Sequence, residues 1–306
     1  MNAACFIPIK ANSERVKGKN LRPLNGRKLY EYICMHVKTA DVFDDIFIDT
    51  NSPEIAEYAQ GSGFRVIDRK PELARNSANG NDLLVYHFEQ FPDYDYYFQL
   101  FATAPYLQPD TIRTCFSVLT SSGEYDSCFT ATENHSFYWL AGNPVNYRPG
   151  VLPRSQDMLP VIEETTGLYG ITRESLDRYR CRIGRKPYVH VVSKFEAVDI
   201  NTEEDFRIAE YVGRVIFGIS ADGGGGIGGI YRKRINTHYA HKKCPSGQIQ
   251  TRGTLFTSLH FTSLLHRLKQ PVTVFTALVD HVNISRLRIL EHEERMTYQL
   301  HLHNGF

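Results

Sequence analysis

The stretch IPIKANSERVKGKN, residues 7–20, turns from an apolar run into a loop crowded with cations and amide donors. Lys10, Arg15, Lys17 and Lys19, with Arg22 just beyond, have the chemistry to neutralise phosphate charge, lysine as a point charge and arginine as a fork. Asn12, Ser13 and Asn20 add neutral donors. Gly18 and Asn20 tolerate the backbone angles of a tight turn, the geometry that aims successive N–H groups at an anion. Neither G-x-G-x-x-G nor G-x-x-x-x-G-K-[ST] is present, which argues against a dinucleotide-binding Rossmann protein and a P-loop NTPase. By residue type alone, the segment is either a polyphosphate cradle or a solvated basic loop. A second candidate is VDINTEEDF, with Asp199 and Asn201 ahead of a helix that Thr202 and Asp205 would cap. The triplet DYD at 93–95 has the form of a metal-binding pair but reads as an exposed turn before a strand.

These groups need a scaffold, and the chain alternates short apolar runs with segments of helical period. ACFIPI, DIFIDT, FRVIDR, YYFQLFA and DSCFTAT read as strands. RKLYEYICMHVK, SPEIAEYAQGSG, NDLLVYHFEQF and PDTIRTCFSVLTSSG read as the intervening helices, the second with Ser52 as N-cap and Pro53 in its first turn. This is the pattern of βαβ units and a mainly parallel sheet covered on both faces, and such sheets bind ligands at the carboxyl ends of their strands. Residues 134–188 are less regular, rich in proline and aromatics, and suit an excursion that meets substrate or a second subunit. GLYGIT and YVHVVS are expected as returning strands, and TEEDFRIAEYVGRVI as a closing helix. There is no internal repeat.

Charge divides the chain. Residues 1–217 carry 24 lysines and arginines against 29 acidic residues, whereas residues 218–306 carry 11 against 5 and eight of the twelve histidines. The change starts at the glycine-rich SADGGGGIGGI, so a domain of 1–217 is expected, followed by a linker and basic, histidine-rich tail at 218–306. The tail's composition fits a nucleic-acid or acidic-partner surface, or equally a poorly selected C-terminus such as read-through beyond the end of the domain, and the linker's place directly after the closing helix favours the second. With a formal charge of +1 overall, no nucleic-acid partner is expected. The six cysteines are scattered without a C-x-x-C pair and read as reduced packing thiols of a cytoplasmic protein. No signal peptide or membrane span is expected.

The order of five segments resembles the acylneuraminate cytidylyltransferase family, which includes the CMP-sialic acid and CMP-Kdo synthetases. IPIKANSERVKGKNLRPLNGRKLYEYI resembles its opening signature, with Lys10 at an arginine place, Ser13 at the loop serine, Lys19 and Asn20 at the K-N pair, and Asn12 and Arg15 where the family has glycines. Arg69 and Leu73 fall in register with its R-P-x-x-L-A element, and FQLFATAPYLQPDTI is similar to Q-P-T-S-P-L-R with two residues inserted and the arginine missing. PRSQDMLPVIEETTGLYGITRESL and AVDINTEEDFRIAE resemble the two closing segments. The resemblance spans roughly residues 4–215.

It implies a three-layer, doubly wound α/β fold of the nucleotide-diphospho-sugar transferase kind. It also implies transfer of CMP from CTP to a 3-deoxy-2-ulosonic acid sugar, with release of pyrophosphate. Lys10, Ser13, Lys19, Asn20 and Arg69 would hold CTP, with Lys10, Lys19 and Asp199 catalytic. Asp199 and Asn201 would bind Mg²⁺, although Asn201 replaces a second aspartate and removes one negative charge. Gln99, Thr103, Arg154 and Gln156 would face the acceptor, and Tyr106, in place of a small apolar residue, suggests an unusual one. Members of the family are commonly homodimers. A small hydroxy- or aminoalkylphosphonate acceptor is the rival within the class, and a catalytically inactive nucleotide-binding scaffold is the rival outside it.

Overall fold

The computed structural model describes residues 1–75 and 77–219, and the backbone of 288–290 and 297–299. The chain divides into two units, Met1–Ala240 and His241–Phe306. In the second, Arg288–Leu290 pairs antiparallel with Thr297–Gln299. TLFTSLHFTSLLHRL (254–268) and PVTVFTALVDHVNI (271–284), apolar enough for an expected helix and strand, and most of the glycine-rich linker lie outside the described residues.

The first unit is built on a seven-stranded sheet. Its strands are β1 (Ala3–Pro8), β2 (Asp45–Thr50), β3 (Arg65–Asp68), β4 (Tyr96–Leu100), β5 (Ser127–Asn134), β6 (Val161–Thr172) and β7 (Pro187–Val191). They lie in the order β3-β2-β1-β4-β6-β5-β7. Only β6 runs against the others, antiparallel to both β4 and β5. The helices are α1 (Leu29–Ala40), α2 (Pro53–Gly61), α3 (Gly80–Gln90), α4 (Pro109–Ser121), α5 (Arg173–Tyr179) and α6 (Glu203–Val215).

Strand β1 is buried on both faces, as a central parallel strand must be. Cys5 and Ile7 join the side chains of α1, α2 and α4 (Ile33, Val37, Ile55, Ile112). Ala4 and Phe6 join those of α3 and α5 (Leu84, Phe88, Leu176) on the opposite side. A third cluster packs Leu29 and Tyr32 of α1 against Phe206, Ala209 and Val212 of α6. Tyr106 belongs to this cluster: it stacks on Phe217 and its hydroxyl donates to the Ala209 carbonyl at 2.5 Å. It is core, and borders neither cleft described below.

The caps agree with the sequence. Ser52 accepts from the Ile55 amide, and Thr202 with Asp205 forms a complete capping box. Strand β6 contains the expected GLYGIT but begins earlier, at Val161, where its first four residues pair only with β5. The short helix α5 that follows it, capped by Thr172, was not read from sequence. In the irregular excursion, Trp139–Leu140 pairs with Asn143–Pro144 in a small hairpin whose apolar side chains stand in solvent. Cys5, Cys34, Cys115 and Cys128 are buried free thiols.

Candidate active site

Strands β2 and β3 lie to one side of β1 and β4 lies to the other, so the chain reverses direction across the sheet between β1 and β4. Open α/β sheets bind ligands at that switch point, beyond the carboxyl ends of the strands. A cleft of about 620 Å³ occupies it.

The basic loop forms one wall and is folded down rather than solvated. Val16 in its middle is fully buried, and Lys19 and Asn20 are nearly so. Asn20 Nδ2 donates to the Lys10 carbonyl at 2.8 Å, and the Ala11 amide donates to Asn51 Oδ1 at 2.8 Å, which closes the loop on itself and on β2. Gly18, at φ 64°, supplies the left-handed turn that Lys19 follows. Lys19 Nζ then donates to the Ile200 carbonyl at 2.6 Å, tying the loop to the Asp199 segment. Burial pushes the Lys19 ammonium below the usual lysine pKa, Asp199 opposes that shift, and Arg15 and Lys10 add to it.

Arg69, just past β3, lies along the cleft floor. Its Nε bonds Asp49 Oδ1 at 2.9 Å and its Nη2 bonds the Asp49 carbonyl at 2.8 Å. His87 Nε2 reaches the other Asp49 oxygen at 2.8 Å, with its ring stacked on Phe6. Burial raises the Asp49 carboxyl, but His87 and Arg69 outweigh it and hold the group below its ordinary pKa. The opposite wall is the start of α3, where a side chain on Gly80 would strike Arg182 Nη1 at 2.4 Å. Arg182 lies over the Tyr169 ring, 3.7 Å from its centroid, and also borders the cleft.

At the far end stands Asp199. Its Oδ2 accepts from Thr166 Oγ1 at 2.9 Å and from Asn201 Nδ2 at 2.5 Å, while its buried Oδ1 has no hydrogen-bond partner among the described residues. Asn201 Oδ1 accepts from Arg15 Nη2 at 2.9 Å. Beyond this wall lies a second cleft of about 420 Å³, bordered by Thr132, Asn134, Glu163, Glu164, Lys194 and Asp205. Thr166, Asp199 and Asn201 border both. The first cleft is strongly cationic, with Lys10, Arg15, Lys19, Arg69, Arg75 and Arg182 facing Glu14 and Asp199. The second is acidic apart from Lys194.

Of the residues singled out in the sequence, Lys10, Ser13, Lys19, Asn20, Arg69, Thr103, Asp199 and Asn201 border the first cleft together. Gln99 is buried beneath it and donates to the Gly80 carbonyl at 3.0 Å, supporting the start of α3. Arg154 and Gln156 border neither cleft; both are exposed in a single turn where Arg154 pairs with Asp157 at 2.6 Å. Arg182, Thr166, Glu163, Glu164, Lys194 and His87 were not found by sequence reasoning.

The family description "cytidylyltransferase" matches residues 4–180, more than half of the chain. The chain belongs to this family. N-acylneuraminate cytidylyltransferase A of Danio rerio is 26% identical over 215 residues, covering 68% of this chain and 50% of its own length. Post-translational flagellin modification protein B of Campylobacter coli is 26% identical over 220 residues, covering 68% of this chain and 93% of its own. The chain thus spans about half the length of the N-acylneuraminate cytidylyltransferases it matches. Among solved structures, CMP:2-keto-3-deoxy-manno-octonic acid synthetase complexed with CTP superposes with a TM-score of 0.53 at 15% identity, over 69% of this chain and 98% of that one. That likeness shows the cytidylyltransferase fold: a mostly parallel, doubly wound sheet with helices on both faces. No helix among the described residues is long and apolar enough to cross a membrane.

Proposed function

We propose that the chain transfers CMP from CTP to a 3-deoxy-2-ulosonic acid sugar of the sialic, pseudaminic or Kdo type, releasing pyrophosphate. One observation carries the reading: a cationic cleft at the switch point shares a single wall, Thr166, Asp199 and Asn201, with a smaller acidic cleft. The first suits a nucleoside triphosphate and the second the acceptor, so that the acceptor hydroxyl meets the α-phosphate at the shared wall. The names of the relatives, a sialic acid cytidylyltransferase and a CMP-Kdo synthetase, support the same class.

In-line phosphoryl transfer depends chiefly on positioning and charge neutralisation. Lys10, Arg15 and Lys19 hold the triphosphate, and Lys19 is fixed in place by the Ile200 carbonyl. Arg69 lines the floor and Arg182 the wall beside the start of α3. The α-phosphate breaks its bond to the β,γ-pyrophosphate as the acceptor oxygen bonds to it, and the acceptor proton leaves to water or to a carboxylate of the second cleft. The donor set fits Mg²⁺: Asp199 Oδ1 is a buried carboxylate oxygen without a partner among the described residues, and a hard cation there would draw its other ligands from phosphate oxygens and water. Among the described residues no three His, Cys, Asp or Glu side chains converge on one point, so the nucleotide would supply the remaining ligands. Asn201 spends its amide on Asp199 and Arg15 and would bear on a bound metal only through Asp199. When bound, Mg²⁺ neutralises charge developing on the phosphates.

The acidic second cleft favours a sugar over a small phosphonate. Hydroxyl and amide groups would donate to Glu163 and Glu164 and leave Lys194 for the sugar acid's single carboxylate, whereas a phosphonate dianion would set twice that charge against the same glutamates with the same one cation. The exposed Trp139, Leu140, Val145, Val151, Leu152 and Leu159 form an apolar arm that suits a homodimer. The test is pyrophosphate release with CTP, Mg²⁺ and a panel of sialic acids, Kdo-type sugars and phosphonates. Release with one sugar, abolished in Asp199→Ala, supports the reading. CTP binding without release from any acceptor would move the assignment to a nucleotide-binding scaffold.

A further inference from the structure

The residue that joins the two clefts is in an unusual conformation. Thr166 has φ 53°, in the left-handed region that glycine and asparagine occupy with ease and that a β-branched residue rarely adopts. It lies where the pairing of β6 with β5 shifts register between Glu164 and Tyr169. Bulges of this kind re-aim a side chain and are frequent beside active sites.

The surrounding structure fixes the conformation from both sides. Thr165 Oγ1 bonds Thr130 Oγ1 at 2.7 Å and the Thr130 carbonyl at 3.0 Å. The Leu168 amide donates to Thr130 Oγ1 at 3.3 Å. The Gly167 carbonyl accepts from the Phe101 amide at 3.2 Å, and a side chain on Gly167 would come within 3.2 Å of Ala104 Cβ. Between these anchors Thr166 is turned out of the strand's alternation to the boundary of the two clefts, where its hydroxyl donates to Asp199 Oδ2 at 2.9 Å. Residues held in disfavoured conformations persist only where their neighbours over-determine them, and they gather at functional sites.

We propose that Thr166 is a positioning residue for Asp199: the bulge in β6 holds it in the left-handed conformation so that its hydroxyl, with the Asn201 amide, engages Oδ2 and leaves the buried Oδ1 as the carboxylate oxygen without a partner among the described residues. This rests on the reading of Asp199 given above. A glycine would fill the same turn without strain, so what the threonine adds at this position is its hydroxyl.

Three proteins test it: wild type, Thr166→Ser, which keeps the hydroxyl, and Thr166→Gly, which keeps the turn and loses it. The readouts are the melting temperature without ligand, Mn²⁺ binding in the presence of CTP followed by water-proton relaxation, and kcat and KM for each substrate. Thr166→Gly is expected to melt no lower than wild type, yet to bind Mn²⁺ with CTP about tenfold more weakly and to lose about tenfold in kcat at little change in the KM for CTP. Thr166→Ser should stay within about twofold of wild type in all of these. The proposal is overturned if Thr166→Gly binds Mn²⁺ with CTP as wild type does, or if wild type itself binds none. Absence of pyrophosphate release from wild type with every acceptor sinks the proposed function instead, and the Mn²⁺ comparison still decides the role of Thr166.

Discussion

Arg69 and Asp49 meet in the interior, with Nε 2.9 Å from Oδ1 and the two side chains 3% and 1% exposed. Burying such a pair costs desolvation that a hydrophobic pair would avoid, and removing one partner leaves the other charged in a dry site. Asp49→Ala is therefore expected to lower the unfolding free energy by about 3–5 kcal/mol, read by urea denaturation. The folded pKa of Asp49 lies below its unfolded value, so this contribution is present above the ordinary carboxylate range and is lost as the pH falls through the lowered pKa. Acid unfolding should accordingly be blunted in Asp49→Ala. A variant as stable as wild type at pH 7 would remove the ion pair from any account of the fold.

Lys19 supplies a cation that its own burial weakens. Lys19→Met should reduce kcat/KM by about 10²–10³, as losing one preorganised charge at a developing anion does. Because the ammonium is needed charged and its pKa is lowered, activity should fall on the alkaline side earlier than an exposed lysine would allow. Lys19→Arg should move that alkaline limb upward, since arginine does not deprotonate in this range. A limb left unmoved in Lys19→Arg would assign it to another group.

His36 in α1 titrates silently. Burial pushes its pKa down to about 4. Between that value and the unfolded value near 6.5 the unfolded chain binds a proton that the folded chain does not, so stability falls as pH drops. By pH 5 the loss from this group is about 2 kcal/mol. Chemical denaturation at pH 7 and pH 5 should show a smaller difference in His36→Leu than in wild type.

Glu163 shapes the acidic cleft. Asn134 Nδ2 donates to its Oε2 at 2.9 Å, leaving Oε1 for an acceptor hydroxyl or amide. Glu163→Gln is expected to raise the KM for a sugar acceptor roughly tenfold, the order of one hydrogen bond to a charged group, with the KM for CTP unchanged. Equal effects on both substrates would place Glu163 outside the acceptor's reach.

The alternation of apolar runs and helical periods made the sheet legible, because a parallel strand buried on both faces has few ways to look other than apolar. The basic loop was legible as a phosphate cradle or a solvated turn, and burial of Val16 decides that it is folded. Arg182 was not legible, since RCRIGRK offers three arginines and a lysine and only the Gly80 gap shows which one enters the cleft. Nor was Thr166, whose meaning lies in a backbone angle that residue type alone would not assign to threonine. Arg154 and Gln156 are the converse case: a chemically apt pair in a family-like motif that the fold leaves on an exposed turn, bordering neither cleft.

The wall common to the two clefts also carries a thermodynamic consequence. A ligand that alters Asp199, Asn201 or Thr166 from one side alters what the other side offers, so the two substrates are linked through these residues. By linkage, whatever factor CTP applies to the affinity for the acceptor, the acceptor applies to the affinity for CTP. Titrating each substrate against a saturating level of an unreactive analogue of the other would give that coupling directly, and replacing any of the three shared residues should shift both halves of it by the same amount.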